Sequence, residues 1–169
     1  MPPRGIKTVS APAKPTDLPS LAGRALETVL STQLNRSASP LSTLTEPSGT
    51  ADERLCFSVP WSGSSWHGVF ALAMPVAFAA EAAAQLFGRE PGESAPEELA
   101  DVAAELCNMV AGRLSFELSQ QGFAGLLQTP VVRSDRPENA FTAQGEHCRT
   151  DWTCGTHPLT LDIALFPRP

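Results

Sequence analysis

Apolar side chains from Asp17 onward recur at helical spacing: Leu18, Leu21, Ala22, Ala25, Leu26, Val29 and Leu30 share one face, with Asp17 placed to cap the N-terminus. The pattern predicts a helix ending near Asn35. Upstream, residues 1–16 are rich in Pro, Ala, Ser and Lys and carry no hydrophobic period, so too little apolar surface is available to offset the entropy of ordering. A disordered tail over 1–16 and one folded domain over 17–169 are expected. Residues 36–53, dense in Ser, Thr, Pro and Gly, read as a loop or a poorly ordered edge segment.

Two apolar runs, Arg54 to Pro60 and Trp66 to Met74, flank the turn formers Ser62-Gly63-Ser64-Ser65 and predict a β-hairpin. Pro75 suits the first turn of a helix, and the alanine-rich run Val76 to Phe87 is stopped by Gly88. A linker over Arg89 to Ala95 leads to Pro96 and a long helix reaching about Gln121, closed by Gly122. Phe123 to Arg133 reads as a strand in which Pro130 marks a bulge or an edge. Ser134 to Arg149 reads as a loop, and Thr150 to Cys154 with Leu159 to Phe166 as a final hairpin turned at Gly155. Hairpins alternating with helix pairs, rather than strict βαβ units, argue for an α+β fold: an antiparallel sheet with helices packed on it.

The long helix separates into two faces. At 100° per residue, Leu99, Val102, Ala103, Leu106, Met109, Val110 and Leu114 form the expected core side. Glu98, Asp101, Glu105, Asn108, Gly112 and Ser115 gather on another side, with Glu105 and Asn108 one turn apart. By spacing alone, such a stripe is the solvated face of an amphipathic helix. Gly112 stands out on it, because a helix-interior glycine costs about 1 kcal/mol relative to alanine.

Composition narrows the partners. At 169 residues, one domain can bury a core without staples. The formal net charge is -6, and the 12 Lys and Arg are scattered, so nucleic acid and anionic membrane are not expected partners. The N-terminal stretch lacks an apolar signal region and no run approaches the length of a membrane span, which points to the cytoplasm. Cys56, Cys107, Cys148 and Cys154 are then expected as free thiols, although an oxidised preparation could join Cys148 to Cys154.

The segment Asp101-Val-Ala-Ala-Glu105-Leu-Cys-Asn108-Met109-Val110-Ala111-Gly112-Arg113 resembles the signature helix of the CheX, CheC and FliY phosphatase family, Glu-x-x-Asn followed by apolar residues, a small residue and Gly. The hairpin with Gly63 and Gly68, the helix Pro75 to Phe87, Thr129-Pro130-Val131-Val132 and the closing strand Leu159 to Phe166 fall where CheX-like chains have them, so the resemblance covers about residues 17 to 167. CheC-type members carry a second Glu-x-x-Asn on the other equivalent helix. Here Glu81 is followed by Ala82, Ala83 and Ala84, which resembles the single-site CheX arrangement.

The resemblance implies a hydrolase that removes the aspartyl phosphate of a phosphorylated, CheY-like response regulator, in chemotaxis or another two-component pathway. It implies catalytic roles for Glu105 and Asn108, contacts with the partner at Asp101 and Gly112, and a homodimer. No cofactor is expected on this chain, since Mg²⁺ belongs to the partner receiver domain. A non-catalytic regulator-binding or flagellar-switch-like module of the same fold is the alternative.

Other constellations are weaker. His147, Cys148, Cys154 and His157 lie close in sequence, but their spacing matches no common structural zinc pattern, and no bound metal is expected. Ser119, Ser134, His67 and Asp151 form no recognisable nucleophile arrangement. Trp61 and Trp66 flank the hairpin turn and are expected in packing or dimer contacts.

Overall fold

A computed structural model describes residues 13–41, 54–90, 92–132 and 145–168. In chain order the elements are α1 (Leu18–Leu34), β1 (Ser39–Pro40), β2 (Arg54–Gly63), β3 (Trp66–Pro75), α2 (Val76–Phe87), α3 (Pro96–Gln120), β4 (Gly125–Leu127), β5 (Val131–Val132), β6 (Glu146–Cys154) and β7 (His157–Pro167). The strands form one antiparallel sheet in the order β1-β6-β7-β3-β2-β4, with β5 also paired to β2. Among the described residues no helix is long and apolar enough to cross a membrane.

Local chemistry sets the boundaries. Asp17 accepts the backbone N–H of Ser20 at 3.4 Å, and Asn35 ends α1 in the left-handed region. Gly88 ends α2 in the same conformation, at φ 65°. Across the sheet, alternation sends Phe57, Val59, Trp61, Phe70, Leu72, Met74, Leu159, Leu161, Ile163 and Leu165 into one core with the buried faces of the three helices. Trp61 is 2% exposed and donates its indole N–H to Ser115 Oγ on α3 at 3.1 Å. A Cβ on Gly125 would fall within 2.5 Å of that indole, so only glycine lets β4 close over the ring.

Three expectations change. The loop expected over Ser134 to Arg149 gives way to strand from Glu146, where Cys148 and Thr150 stand opposite Ile163 and Leu161 of β7. Phe123 to Arg133 is not one strand: two short pieces, β4 and β5, both pair with β2 on either side of Thr129-Pro130, in keeping with a proline that has no N–H to donate. Residues 13–16 carry contacts although expected within the tail. Ala13 O accepts from Trp66 Nε1 at 3.0 Å, Pro15 is buried, and Thr16 N–H donates to Gln121 Oε1 at 2.9 Å. The rest of the expected tail, residues 1–12, and most of the loop over 36–53 lie outside the described residues; Ser39–Pro40 forms the edge strand β1.

Candidate functional site

Helix α3 is positioned from three sides. Val102, Ala103, Leu106, Val110 and Leu114 are buried as their spacing predicts, joined by Cys107, Ala111 and Leu118. Met109 and Leu99, expected in the core, are only partly buried, and Met109 borders a surface depression instead. The Cys107 thiol donates to Phe57 O at 3.3 Å, and burial pushes its pKa up to about 12, so it is chemically quiet in the middle of the helix.

The polar stripe divides by what its members already hold. Glu98 accepts the backbone N–H of Ala95 at 3.0 Å and two guanidinium bonds from Arg89 at 3.0 and 3.1 Å. These donors, Ala95 first, pull its carboxyl below the usual range, and it serves as a helix-start clamp. Ser115 is occupied by Trp61. Asp101, Glu105 and Asn108, by contrast, make no side-chain hydrogen bond or ion pair among the described residues. Asp101 and Glu105 are exposed and Asn108 is half-buried. Gly112 continues the row, and a Cβ built there would meet nothing within 4 Å, so no close packing among the described residues calls for glycine.

Asp101, Glu105, Asn108 and Met109 line one open depression of about 770 Å³. Leu86 and Phe87 at the end of α2, respectively 44% and 50% exposed, line it too, as do Thr129 and Pro130 between β4 and β5. The exposed pair Leu86-Phe87 was not singled out from the sequence. Its signal was available: two large apolar residues immediately before a helix-ending glycine.

Helix α2 carries the other glutamate. Glu81 accepts from Arg36 at 2.7 Å and lies 2.8 Å from His157 Nε2, whose imidazole makes a T-shaped contact with the Phe78 ring. Arg36 first, then His157, hold the Glu81 carboxyl below its ordinary range. Three residues on, Ala84 is 7% exposed and offers no polar group.

The cysteine and histidine cluster is dispersed by strand geometry. His147 and Cys148 are neighbours on β6 and project to opposite faces, while His157 is engaged with Glu81. Among the described residues no three His, Cys, Asp or Glu side chains group as metal ligands. All four cysteines are free thiols. Trp61 and Trp66 are both buried in packing.

No curated protein matches this chain. Among solved structures, a CheC-like superfamily protein from Shewanella sp. PV-4 matches at TM-score 0.72 and 22% identity, over 90% of this chain and 99% of that one. The chemotaxis protein CheX from Vibrio vulnificus matches at TM-score 0.69 and 20% identity, over 86% and 94%. CheX from the CheX–CheY–BeF3–Mg²⁺ complex of Borrelia burgdorferi matches at TM-score 0.63 and 18% identity, over 90% and 99%. These likenesses show a shared fold. A family model described as chemotaxis phosphatase CheX matches residues 56–149, more than half of the sequence and all of α3, and the chain belongs to that family.

Proposed function

We propose that this protein hydrolyses the aspartyl phosphate of a CheY-like receiver domain, with Asn108 and Glu105 reaching into the receiver's site. The observation that carries this reading is the uncommitted state of the pair: one turn apart on the signature helix, Glu105 exposed and Asn108 half-buried in the wall of the depression, neither with a side-chain partner among the described residues. The receiver brings the phosphoryl group, its own Mg²⁺ and a lysine. What it lacks is a water held in line behind phosphorus, and positioning is the main protein contribution to phosphoryl transfer.

The Asn108 carboxamide both donates and accepts hydrogen bonds, so it orients water without adding negative charge beside an anion. A bond forms from that water oxygen to phosphorus while the bond from phosphorus to the aspartyl oxygen breaks. The aspartate leaves as a carboxylate and needs no general acid; the water proton passes to the released phosphate or to solvent. Glu105 pairs with the receiver lysine through a charge-assisted hydrogen bond and fixes the helix in the cleft. Asp101 extends the acidic contact, and Gly112 leaves clearance for the receiver surface.

The test is to load receiver domains from the same genome with a small-molecule phosphodonor and follow phosphate loss with and without this protein. Acceleration on a cognate receiver is expected. Binding without acceleration would leave a non-catalytic module of the same fold, and no effect on any receiver would overturn the proposal.

A further inference from the structure

Three turns beyond Glu105 on the same row of α3, past the gap at Gly112, stands Phe116. It is 50% exposed, on a helix whose other large apolar residues are buried or partly buried. A single exposed aromatic is ordinary on a protein surface. This one is held in place. The Arg113 guanidinium lies 4.9 Å from the ring centroid, and its other contact, to Glu117 Oε1, is 2.7 Å long. Glu117 is itself only 9% exposed and takes Arg24 of α1 at 3.1 Å on its second oxygen. The ring therefore rests on a cation anchored through a buried carboxylate to a second helix. A side chain already ordered in this way loses little entropy when a partner covers it.

We infer that Phe116 is the docking anchor for the receiver, seated in an apolar recess of the partner about 16 Å, at 1.5 Å per residue, from the lysine that Glu105 reaches. The inference rests on the phosphatase reading above and adds to it the shape of the partner. The row is two-part. Its N-terminal half presents Glu97, Asp101 and Glu105, carboxylates with no cation paired to them among the described residues. Its C-terminal half presents Met109 and Phe116, separated by the open space at Gly112. A complementary partner carries basic groups against the first half and an apolar recess against the second. Charge then steers and orients the encounter while the buried ring supplies much of the affinity.

The experiment compares wild type and Phe116→Ala on the cognate receiver, phosphorylated for turnover and beryllofluoride-activated for affinity. Phe116→Ala should raise KM and Kd about tenfold or more. Turnover of the saturated complex should stay within about twofold, as expected for a contact equally present in ground and transition states. Phe116→Leu should recover most of the affinity, and thermal melting of both variants should match wild type. Unchanged KM and Kd in Phe116→Ala would overturn the inference, as would a loss confined to kcat. A changed sedimentation profile of Phe116→Ala without receiver would also overturn it, since the ring would then belong to a self-contact. If wild type binds the activated receiver without hydrolysing its phosphate, the phosphatase reading fails, and the Kd of Phe116→Ala still decides the docking anchor. If wild type binds no receiver, both fail.

Discussion

Helices α2 and α3 each carry a glutamate followed, three residues later, by the position where a carboxamide would complete the same motif. On α2 the glutamate is Glu81, closed into a cluster with Arg36 and His157 that ties the end of α1 to the β6–β7 turn, and the later position is the buried Ala84. On α3 the glutamate is Glu105, exposed and without a partner among the described residues, and the later position is Asn108. Two carboxylates at comparable helical positions thus stand in opposite states. One is paired inside the fold, and the other has no partner among the described residues. Spacing does not separate them; the partners each already holds do. The same criterion sorts the α3 stripe itself, setting Glu98 and Ser115 apart from Asp101, Glu105 and Asn108.

The largest expected effect breaks the α3 side of this comparison. Asn108→Ala should lower the rate of the saturated complex by about 100-fold or more, because a misplaced reacting group costs that much, while receiver affinity and melting temperature hold. Single-turnover phosphate release at saturating protein measures it, and a full wild-type rate would refute the assignment. Glu105→Ala should weaken receiver binding by about tenfold as well as slow the reaction, a pattern distinct from Asn108→Ala in a titration against beryllofluoride-activated receiver. Ala84→Asn tests the α2 side. If Glu81 is structural, adding the carboxamide to Asn108→Ala should rescue nothing, and overpacking at this buried position should destabilise the fold by about 1–3 kcal/mol in denaturant titration.

Two smaller effects sharpen the contrast. Gly112→Ala should stabilise α3 by about 1 kcal/mol and at the same time raise KM for the receiver; a gain in stability with no loss of docking would remove the clearance role. Glu81→Gln should change the response to acid. Because the folded carboxyl is held below its ordinary value of 4.5, the stability it contributes is present above that value and is lost as pH falls through its depressed folded value. The side chain is 38% exposed, so the contribution after screening is about 0.5 kcal/mol. The variant should be slightly less stable at neutral pH and should converge with wild type at strongly acidic pH. Chemical denaturation at a series of pH values checks this.

Much of this architecture was legible in the sequence because strong local signals agreed with it: Asp17 and Asn35 around α1, Gly88 after α2, Pro96 at the start of α3, and the two apolar runs of the first hairpin. The start of β6 was hidden because Glu146, His147 and Arg149 are polar and the strand is held by pairing with β7 rather than by its own pattern. The stripe on α3 was readable as a helical face, but its division was not. Whether Glu98 is free depends on where Arg89 falls, and whether Ser115 is free depends on Trp61, distant in sequence. Phe116 falls on the row of Glu105 by spacing, but that row was read through its polar members alone; its 50% exposure shows an aromatic ring among them at the surface.

The order of strands also bears on how the chain is made. β7 sits between β6 and β3, so the middle of the sheet is completed by a strand that leaves the ribosome after the other described elements. Until then Phe70 and Leu72 lack Ile163 and Leu161 beside them, and the first hairpin presents an unpaired edge along β3. Joining strands so far apart in sequence is slow compared with closing either hairpin. Synthesis therefore passes through a stage in which the signature helix is already translated but has no finished sheet to rest on, and that stage is where chaperone demand and misassembly concentrate.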